Sequence, residues 1–256
     1  MTPAQEVALG CRVLAAHGNA DLVWGHLSRR DPGGEDVWLK AAGFGMEEIT
    51  ADRVVRIDRR GRPIGGKGRV HLEYPIHTAI MAARPDVGAV VHSHGESAVA
   101  FAATGLPLRP VGHEGTLFWP PDIARFTETG DLIHTPELGE AVAAALGDRN
   151  ALLLHRHGLV TVGPDVPTAV MTAIFLEKAC RMQLTVAAAR GSSPYFKNAE
   201  NAEDSENPEN AENAEHSANA AHFDPAEALA KRDRCYGPRQ LADAWAYLVR
   251  SLKARG

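Results

Sequence analysis

Short strand-like segments are more numerous in this sequence than a simple alternation of strands and helices would give, and this excess constrains the fold more than any other feature. The segments are residues 22–31, 36–40, 54–66, 87–92, 151–155 and 159–163. A doubly wound parallel sheet instead places a helix after nearly every strand. Neither GxGxxG nor GxxxxGK[ST] occurs in the chain. We therefore predict one α/β domain with a mainly antiparallel or mixed sheet and flanking helices.

Helical periodicity occupies the segments between and after these strands. The predicted helices are residues 3–17, 73–83, 95–103, 136–147, 165–190, 225–231 and 238–253. In the helix at 165–190, apolar side chains recur at spacings of 4, 4, 3 and 4, which predicts that this face is buried in the core. These side chains are Met171, Phe175, Ala179, Met182 and Val186.

Residues 198–221 form a degenerate repeat of Asn, Ala and Glu that has almost nothing to bury. Such a segment does not offset the entropy lost on ordering, so we expect a disordered or weakly helical insertion. The predicted organisation is a main catalytic domain at 1–195, the low-complexity insertion at 196–223 and a C-terminal helical segment at 224–256. We expect that last segment to pack on the same domain or on a neighbouring subunit.

Charge and hydropathy exclude several classes of function. The formal net charge of -5 gives no basic field that would attract nucleic acid. No apolar run approaches the roughly 20 residues of a membrane helix, and the N-terminus lacks the pattern of a signal peptide. We therefore expect a cytoplasmic protein without membrane or nucleic-acid partners. Three widely spaced cysteines do not indicate a disulfide framework.

Two histidine triplets stand at the ends of apolar strands. In VVHSHG (90–95), residues i and i+2 of a strand share a face, so His92 and His94 can offer two imidazoles to one metal ion. In LLLHRHGLVTVG (152–163), a second triplet precedes Gly158, which permits close backbone approach beside His157. Three histidines with an open fourth position are typical of a catalytic zinc site. His155 is the competing candidate in the second triplet.

The segment HLEYPIH (71–77) supplies a carboxylate at the start of a predicted helix. Glu73 could be a fourth metal ligand, a general base beside the metal, or a carboxylate that complements the helix dipole. His77 lies one turn further on, where it could face the same cleft or serve as a hydrogen-bonded packing residue.

Together these segments resemble the class II aldolase/adducin family over about residues 5 to 190. The residues that carry the resemblance are GHLSRRDP (25–32), AAGFGMEEIT (41–50), VVRIDRRG (54–61), HLEYPIH (71–77), ARPDVGAVVHSH (83–94), LLLHRHGLVTVG (152–163) and LEKACRMQLTVAAA (176–189). The combination of the fifth and sixth blocks at this separation is highly specific.

The resemblance implies a three-layer αβα fold with a central, mostly antiparallel sheet, and a homo-oligomer, commonly a tetramer. In the catalytic branch of the family, the metal ligands match His92, His94 and His157. The acid/base glutamate of that branch matches Glu73. Because the adducin branch looks like the same fold without the metal site, the presence of all four residues favours the catalytic branch. Zn²⁺ is the expected ion, and Fe²⁺, Mn²⁺ and Co²⁺ are alternatives. Imidazole ligands suit Zn, Fe, Ni and Co almost equally, so the ligands alone do not select the metal.

The chain departs from the sugar-phosphate aldolases that it resembles at each phosphate-binding place. Those aldolases use a Gly-Asn pair, a Ser/Thr-Gly turn and two serines, where this chain has Gly-His (25–26), Lys-Ala-Ala-Gly (40–43) and His-Leu (71–72). A phosphate dianion without those donors would be poorly solvated. We therefore predict a non-phosphorylated substrate that bears a carboxylate. The candidate substrate-binding residues are His26, Ser28, Lys40, Gly43 and His71.

The family chemistry is the making or breaking of carbon–carbon bonds, with the metal stabilising an enediolate and a carboxylate moving the proton. WGHLSRRDP and the HLEYPIH glutamate look like members that act on dihydroxyphthalate-type acids. The predicted function is a metal-dependent lyase, a decarboxylase or aldolase, on a small carboxylate or hydroxy-carbonyl substrate. Alternatives are an Fe(II)-dependent oxidative decarboxylase or oxygenase, a sugar-phosphate aldolase or epimerase, and an adducin-like interaction module. Candidates for the second acid/base group are His113, Glu114 and Tyr236.

Overall fold

The computed structural model describes residues 1–189 and 222–253, so the polar repeat at 198–221 lies outside the described residues. The strands are β1 (His26–Arg30), β2 (Val37–Lys40), β3 (Val54–Ile57), β4 (Pro63–Gly66), β5 (Ala89–Ser93), β6 (Ala124–Phe126), β7 (Ala151–Leu154) and β8 (Gly158–Gly163). The helices are α1 (Pro3–Ala16), α2 (Tyr74–Ala83), α3 (Glu96–Thr104), α4 (Pro136–Leu146), α5 (Val166–Ala189), α6 (Pro225–Cys235) and α7 (Pro238–Lys253). Short 3-10 turns lie at Met46–Glu48, Ala51–Arg53 and His113–Phe118.

The strands form a single sheet in the order β4-β3-β2-β1-β5-β8-β7-β6. Neighbouring strands are antiparallel throughout, except that β6 runs parallel to β7. The prediction of a mostly antiparallel sheet is therefore confirmed. Strands β1, β5 and β8, which carry or adjoin the candidate site, are neighbours at the middle of the sheet.

Helices cover both faces of the sheet and give the predicted three layers. One core joins the sheet to α1, α3 and α5, and the other joins it to α2 and α4. Along β5, Ala89 and Val91 belong to the first core and Val90 to the second, as the two-residue period of a strand requires. His92 follows the same alternation, so its side chain faces the layer that contains α2.

Two local predictions were wrong. The expected strand at 22–31 begins only at His26, because the residues before it form a turn in which the Trp24 amide donates to the Asp21 carbonyl at 2.9 Å. Leu22 has a φ of 46° in this turn, a backbone conformation that a strand pattern does not anticipate. The short strand β6 was also missed, because three residues are too few to show an alternation.

The buried face of α5 differs from the predicted stripe. Met182 on that stripe is exposed, and Phe175 and Val186 are only partly buried. Met171 and Ala179 from the stripe are buried, and the other buried residues of the helix include Ala169, Ala173, Leu176, Cys180, Gln183 and Ala187. The buried surface of the helix is therefore wider than the predicted stripe, and it contains small and polar side chains as well as large apolar ones.

The C-terminal helix α7 lies against α1 and α5. Trp245, Leu248 and Leu252 on this helix are partly buried against the core on that side. No helix in the described residues combines the length and the apolar character needed to cross a membrane.

A buried carboxylate on α5 caps the helix that follows the histidine triplet of β5. The Glu177 side chain accepts hydrogen bonds from the backbone amides of Ser97 (2.9 Å) and Ala98 (2.8 Å) at the start of α3. Helix N-termini leave such amides without partners, and a carboxylate there also complements the helix dipole. Glu177 thereby fixes the chain immediately after His94.

We expect Glu177→Ala to lower the free energy of unfolding by about 2–3 kcal/mol, because it leaves the buried amide of Ala98 and the partly buried amide of Ser97 without a charged acceptor. Urea denaturation followed by circular dichroism measures this change. Arg181→Ala, at an exposed position of the same helix, should alter stability by less than about 0.5 kcal/mol. Equal effects of the two substitutions would contradict the capping role.

Candidate metal centre and active site

Two histidines meet where β5 ends. His92 is fully buried next to the end of the strand, and His94 lies just beyond it. Their Nε2 atoms are 3.0 Å apart. His92 is also the direct cross-strand partner of His26 on β1, and Ser93 pairs with Leu159 on β8. The sheet register therefore brings the β7–β8 hairpin alongside this pair.

His157 stands in the tight turn that joins β7 to β8. Leu154 pairs with Gly158 at the base of this hairpin, and Arg156 in the turn has a φ of 58°. A Cβ atom on Gly158 would overlap the backbone oxygen of Ser93 and would lie 3.0 Å from the His94 ring. Glycine therefore permits the close approach of the turn to the end of β5, as the sequence predicted.

Glu73 completes the cluster from the other side. It occupies the N-cap position of α2, but its side chain makes no capping hydrogen bond to that helix. Its oxygens lie 3.5 Å from His92 Nε2 and 3.5 Å from His157 Nε2, and Oε1 accepts a hydrogen bond from the Ile133 amide at 2.8 Å. Potential ligand atoms of Glu73, His92, His94 and His157 all lie within 4.8 Å of one another.

The neighbours of these histidines fix which ring nitrogen is free. His92 Nδ1 lies 3.0 Å from the Leu159 carbonyl, and His94 Nδ1 lies 2.9 Å from the Asp21 carboxylate. Since both partners only accept, each Nδ1 carries the proton and each Nε2 keeps its lone pair. This pattern of a backbone carbonyl or carboxylate behind each imidazole is typical of metal-binding histidines.

The free nitrogens fit a divalent cation. Two lone pairs that face each other at 3.0 Å repel unless a positive charge lies between or beside them. His157 is nearly buried, and within the described residues neither of its ring nitrogens has a hydrogen-bond partner. A buried imidazole without a partner is costly, and coordination would satisfy it. These four residues could therefore hold a metal ion.

The predicted substrate-binding residues lie at different depths beside the cluster. His26 and His71 line a cavity of about 410 Å³ together with Gly43 and Glu73. Lys40 is buried behind His71, with its Nζ 3.3 Å from His71 Nε2 and 3.0 Å from the Val23 carbonyl. Ser28 is fully buried and its hydroxyl contacts His77, so it lies behind His26 rather than in the cavity.

A second cavity, of about 610 Å³, opens on the other side of Glu73. Its lining includes His94, His157, Glu96 and Arg156. Trp24 and Leu132 line both cavities. The cluster therefore lies between two solvent-connected spaces that are together large enough for a small organic acid.

Burial sets the protonation of the site. It lowers the pKa of His71 and His77 to about 3 and that of His94 to about 4, because a charged imidazole is poorly solvated there. Burial also opposes ionisation of Glu73. Its contacts with His157 and His92 and the amide of Ile133 outweigh that effect and hold its pKa well below the usual range. At neutral pH, His71, His77 and His94 are therefore neutral imidazoles near an ionised Glu73 carboxylate.

Several residues that line or support the site were not among the predicted site residues, although Trp24 belongs to the segment WGHLSRRDP. Asp21 and Trp24 come from the turn before β1, and Arg69 approaches Gly43 through an isolated bridge between Ala42 and Arg69. Their positions depend on backbone turns that no period reveals. His113, Glu114 and Tyr236 line neither cavity, and Glu114 pairs with Lys178 instead.

Comparison with known proteins identifies the class. The family described as Class II Aldolase and Adducin N-terminal domain matches residues 5–184. The chain therefore belongs to the class II aldolase and adducin family, as its sequence blocks predicted.

Individual relatives agree with this membership. A 3,4-dihydroxyphthalate decarboxylase of Arthrobacter keyseri is 33% identical over 202 residues, which cover 73% of this chain and 80% of the relative. The structure of an L-fuculose 1-phosphate aldolase from Glaciozyma antarctica PI12 has a TM-score of 0.76 at 26% identity, covering 98% of this chain and 88% of that one. An aldolase II superfamily protein from Pseudomonas syringae has a TM-score of 0.75 at 28% identity, covering 99% and 93%.

Proposed function

We propose that this protein is a metal-dependent lyase that removes carbon dioxide from a small, non-phosphorylated carboxylic acid. The wider class, a metal-dependent lyase, is supported by family membership and by the decarboxylase relative. The observation that carries the proposal is the convergence of Glu73, His92, His94 and His157 within 4.8 Å beside two cavities. An adducin-like interaction module would not require such a cluster.

We assign His92, His94 and His157 as the residues that would hold the ion, and we propose Zn²⁺ as its identity. Bound there, a divalent ion would supply Lewis-acid stabilisation of the negative charge that develops on the substrate. Glu73 is assigned as the acid/base group, because it is ionised, buried and within reach of both cavities. We also propose a cytoplasmic location and, from the family resemblance, a homotetramer.

The chemistry of the smaller cavity favours a carboxylate on a flat ring. Arg69 lies at its edge and the buried ammonium of Lys40 lies behind His71, so positive charge converges from one side. Trp24 offers an aromatic surface, and it is 54% exposed within the described residues. A guanidinium matches the planar geometry of a carboxylate, and an aromatic side chain packs against a ring. We therefore propose an aromatic acid of the dihydroxyphthalate type as the substrate.

Metal analysis combined with a screen for carbon dioxide release tests this function. We expect one divalent ion per chain, and release of carbon dioxide from 3,4-dihydroxyphthalate under both air and nitrogen. L-Fuculose 1-phosphate, assayed for aldehyde release, is the comparison substrate and should not be cleaved.

Each other outcome favours a different function. Turnover that requires oxygen would favour the Fe(II)-dependent oxidative enzyme. Release of an aldehyde from L-fuculose 1-phosphate, without release of carbon dioxide from 3,4-dihydroxyphthalate, would favour the sugar-phosphate aldolase. Absence of stoichiometric metal, with no activity after any metal is added back, would favour the interaction module.

A further inference from the structure

A buried chain of hydrogen bonds lies behind His26. Ser28 Oγ is 2.6 Å from His77 Nδ1, and His77 Nε2 is 2.6 Å from His26 Nδ1. Ser28 and His77 are fully buried and His26 is 1% exposed. The other ring nitrogen of His26, Nε2, faces Glu73 Oε2 at 3.9 Å, on the side where His26 lines the smaller cavity.

The donors and acceptors in this series of hydrogen bonds follow from the groups at its two ends, Ser28 and Glu73. A neutral imidazole has one N–H and one lone pair, so the chain has only two proton arrangements. In one of them His26 Nε2 would direct a lone pair at the carboxylate of Glu73, which already accepts from the Ile133 amide. The other arrangement places an N–H there and is electrostatically favoured. It requires Ser28 to donate to His77 and His77 to donate to His26 Nδ1.

We propose that Ser28 and His77 are positioning residues that hold His26 with its proton on Nε2, so that His26 presents a donor to the carboxylate of the substrate. This inference rests on the proposed function for the identity of the acceptor. Because the chain ends at a fully buried hydroxyl, it does not conduct protons to solvent. Its effect is to select one tautomer before the substrate binds.

The other histidine that lines the smaller cavity, His71, does not offer its Nε2 as a hydrogen-bond donor. His71 Nε2 lies 3.3 Å from the Lys40 ammonium and therefore accepts from it. That nitrogen offers no proton to a ligand. His26 Nε2–H is then the imidazole donor closest to Glu73 on this side of the site.

Nuclear magnetic resonance of the zinc-loaded, full-length protein with ¹⁵N-labelled histidine tests the inference directly. Long-range ¹H–¹⁵N correlation distinguishes the two tautomers, and His26→Gln identifies the His26 signals by their loss. We expect the wild-type protein to carry the His26 proton on Nε2. Ser28→Ala should shift His26 to a mixture of tautomers or to the opposite one, and should lower kcat/KM about ten-fold without loss of zinc.

Thr161→Val is the matched control. Thr161 is also a fully buried hydroxyl on a central strand, but it donates to the Ala169 carbonyl instead of a histidine. This variant should leave the His26 tautomer and kcat/KM unchanged. A structural effect common to all buried hydroxyl losses would instead move both variants equally.

Two results would overturn the proposal. They are a wild-type His26 with its proton on Nδ1, and a Ser28→Ala variant whose His26 tautomer is unchanged. The spectra need no substrate. If Ser28→Ala moves the proton while no carboxylic acid is turned over, the tautomer selection stands and the proposed function fails.

Discussion

His157→Ala is expected to abolish stoichiometric metal binding, whereas His155→Ala should leave the metal in place. The two histidines are two residues apart in the same hairpin, but only His157 turns its Nε2 toward Glu73. His155 contacts the Ala102 carbonyl on another side of the hairpin, at 3.3 Å. Loss of outer partners of a metal site already costs 10–100-fold in affinity, so loss of a direct ligand should cost more than about a hundred-fold.

Inductively coupled plasma mass spectrometry of the dialysed proteins measures this difference, with circular dichroism as a check on folding. His157→Ala should remain folded, because within the described residues its ring nitrogens make no hydrogen bond that the fold would lose. Full metal content in this variant would show that the ligand assignment is incorrect. Loss of metal in His155→Ala instead would transfer the assignment to that residue.

The second large effect is expected at Glu73. Glu73→Gln keeps the shape of the side chain and an oxygen for the Ile133 amide, but it removes the base. We expect kcat for carbon dioxide release to fall by about 10²–10⁴-fold. The metal should remain bound, since three imidazoles still surround the ion.

Kinetics and metal content measured on the same preparation separate the possible roles of Glu73. Glu96→Gln is the matched control, because Glu96 is exposed and lines the larger cavity without belonging to the four-residue cluster. It should retain activity within a few-fold of the wild type. Parallel loss of metal and activity in Glu73→Gln would make Glu73 a ligand, and full activity would exclude an acid/base role.

The parts of this fold that could be predicted from the sequence are those that show a regular spacing of residues within one segment. Alternation in VVHSHG predicted that His92 and His94 share a face, and the strand segments 151–155 and 159–163 predicted that His157 lies between two strands. These patterns depend only on residues that are close in the sequence, so they can be recognised without knowledge of the tertiary structure. The family resemblance added what local periodicity lacks, namely the prediction that His92, His94 and His157 belong to one metal site.

The parts that the sequence did not predict depend on packing between distant segments. Asp21 contacts His94 from the turn before β1, in which Leu22 has a positive φ that a strand pattern does not predict. Ser28 was predicted to contact substrate, and only the position of His77 on α2 places its hydroxyl behind His26. On α5, the buried surface includes small and polar residues such as Ala173 and Gln183, which the spacing of large apolar side chains does not reveal.

Gly158 has no functional group, yet we expect it to tolerate substitution as poorly as a catalytic residue would, because of the backbone packed around it. The backbone oxygen of Ser93 cannot move aside without breaking the ladder between β5 and β8. Even a methyl group at this position would push the hairpin that carries His157 away from His92 and His94. Substitutions at Gly158 should therefore abolish activity for a steric reason. A survey of loss-of-function variants would group this glycine with the metal-binding and catalytic residues, although it takes no part in the chemistry.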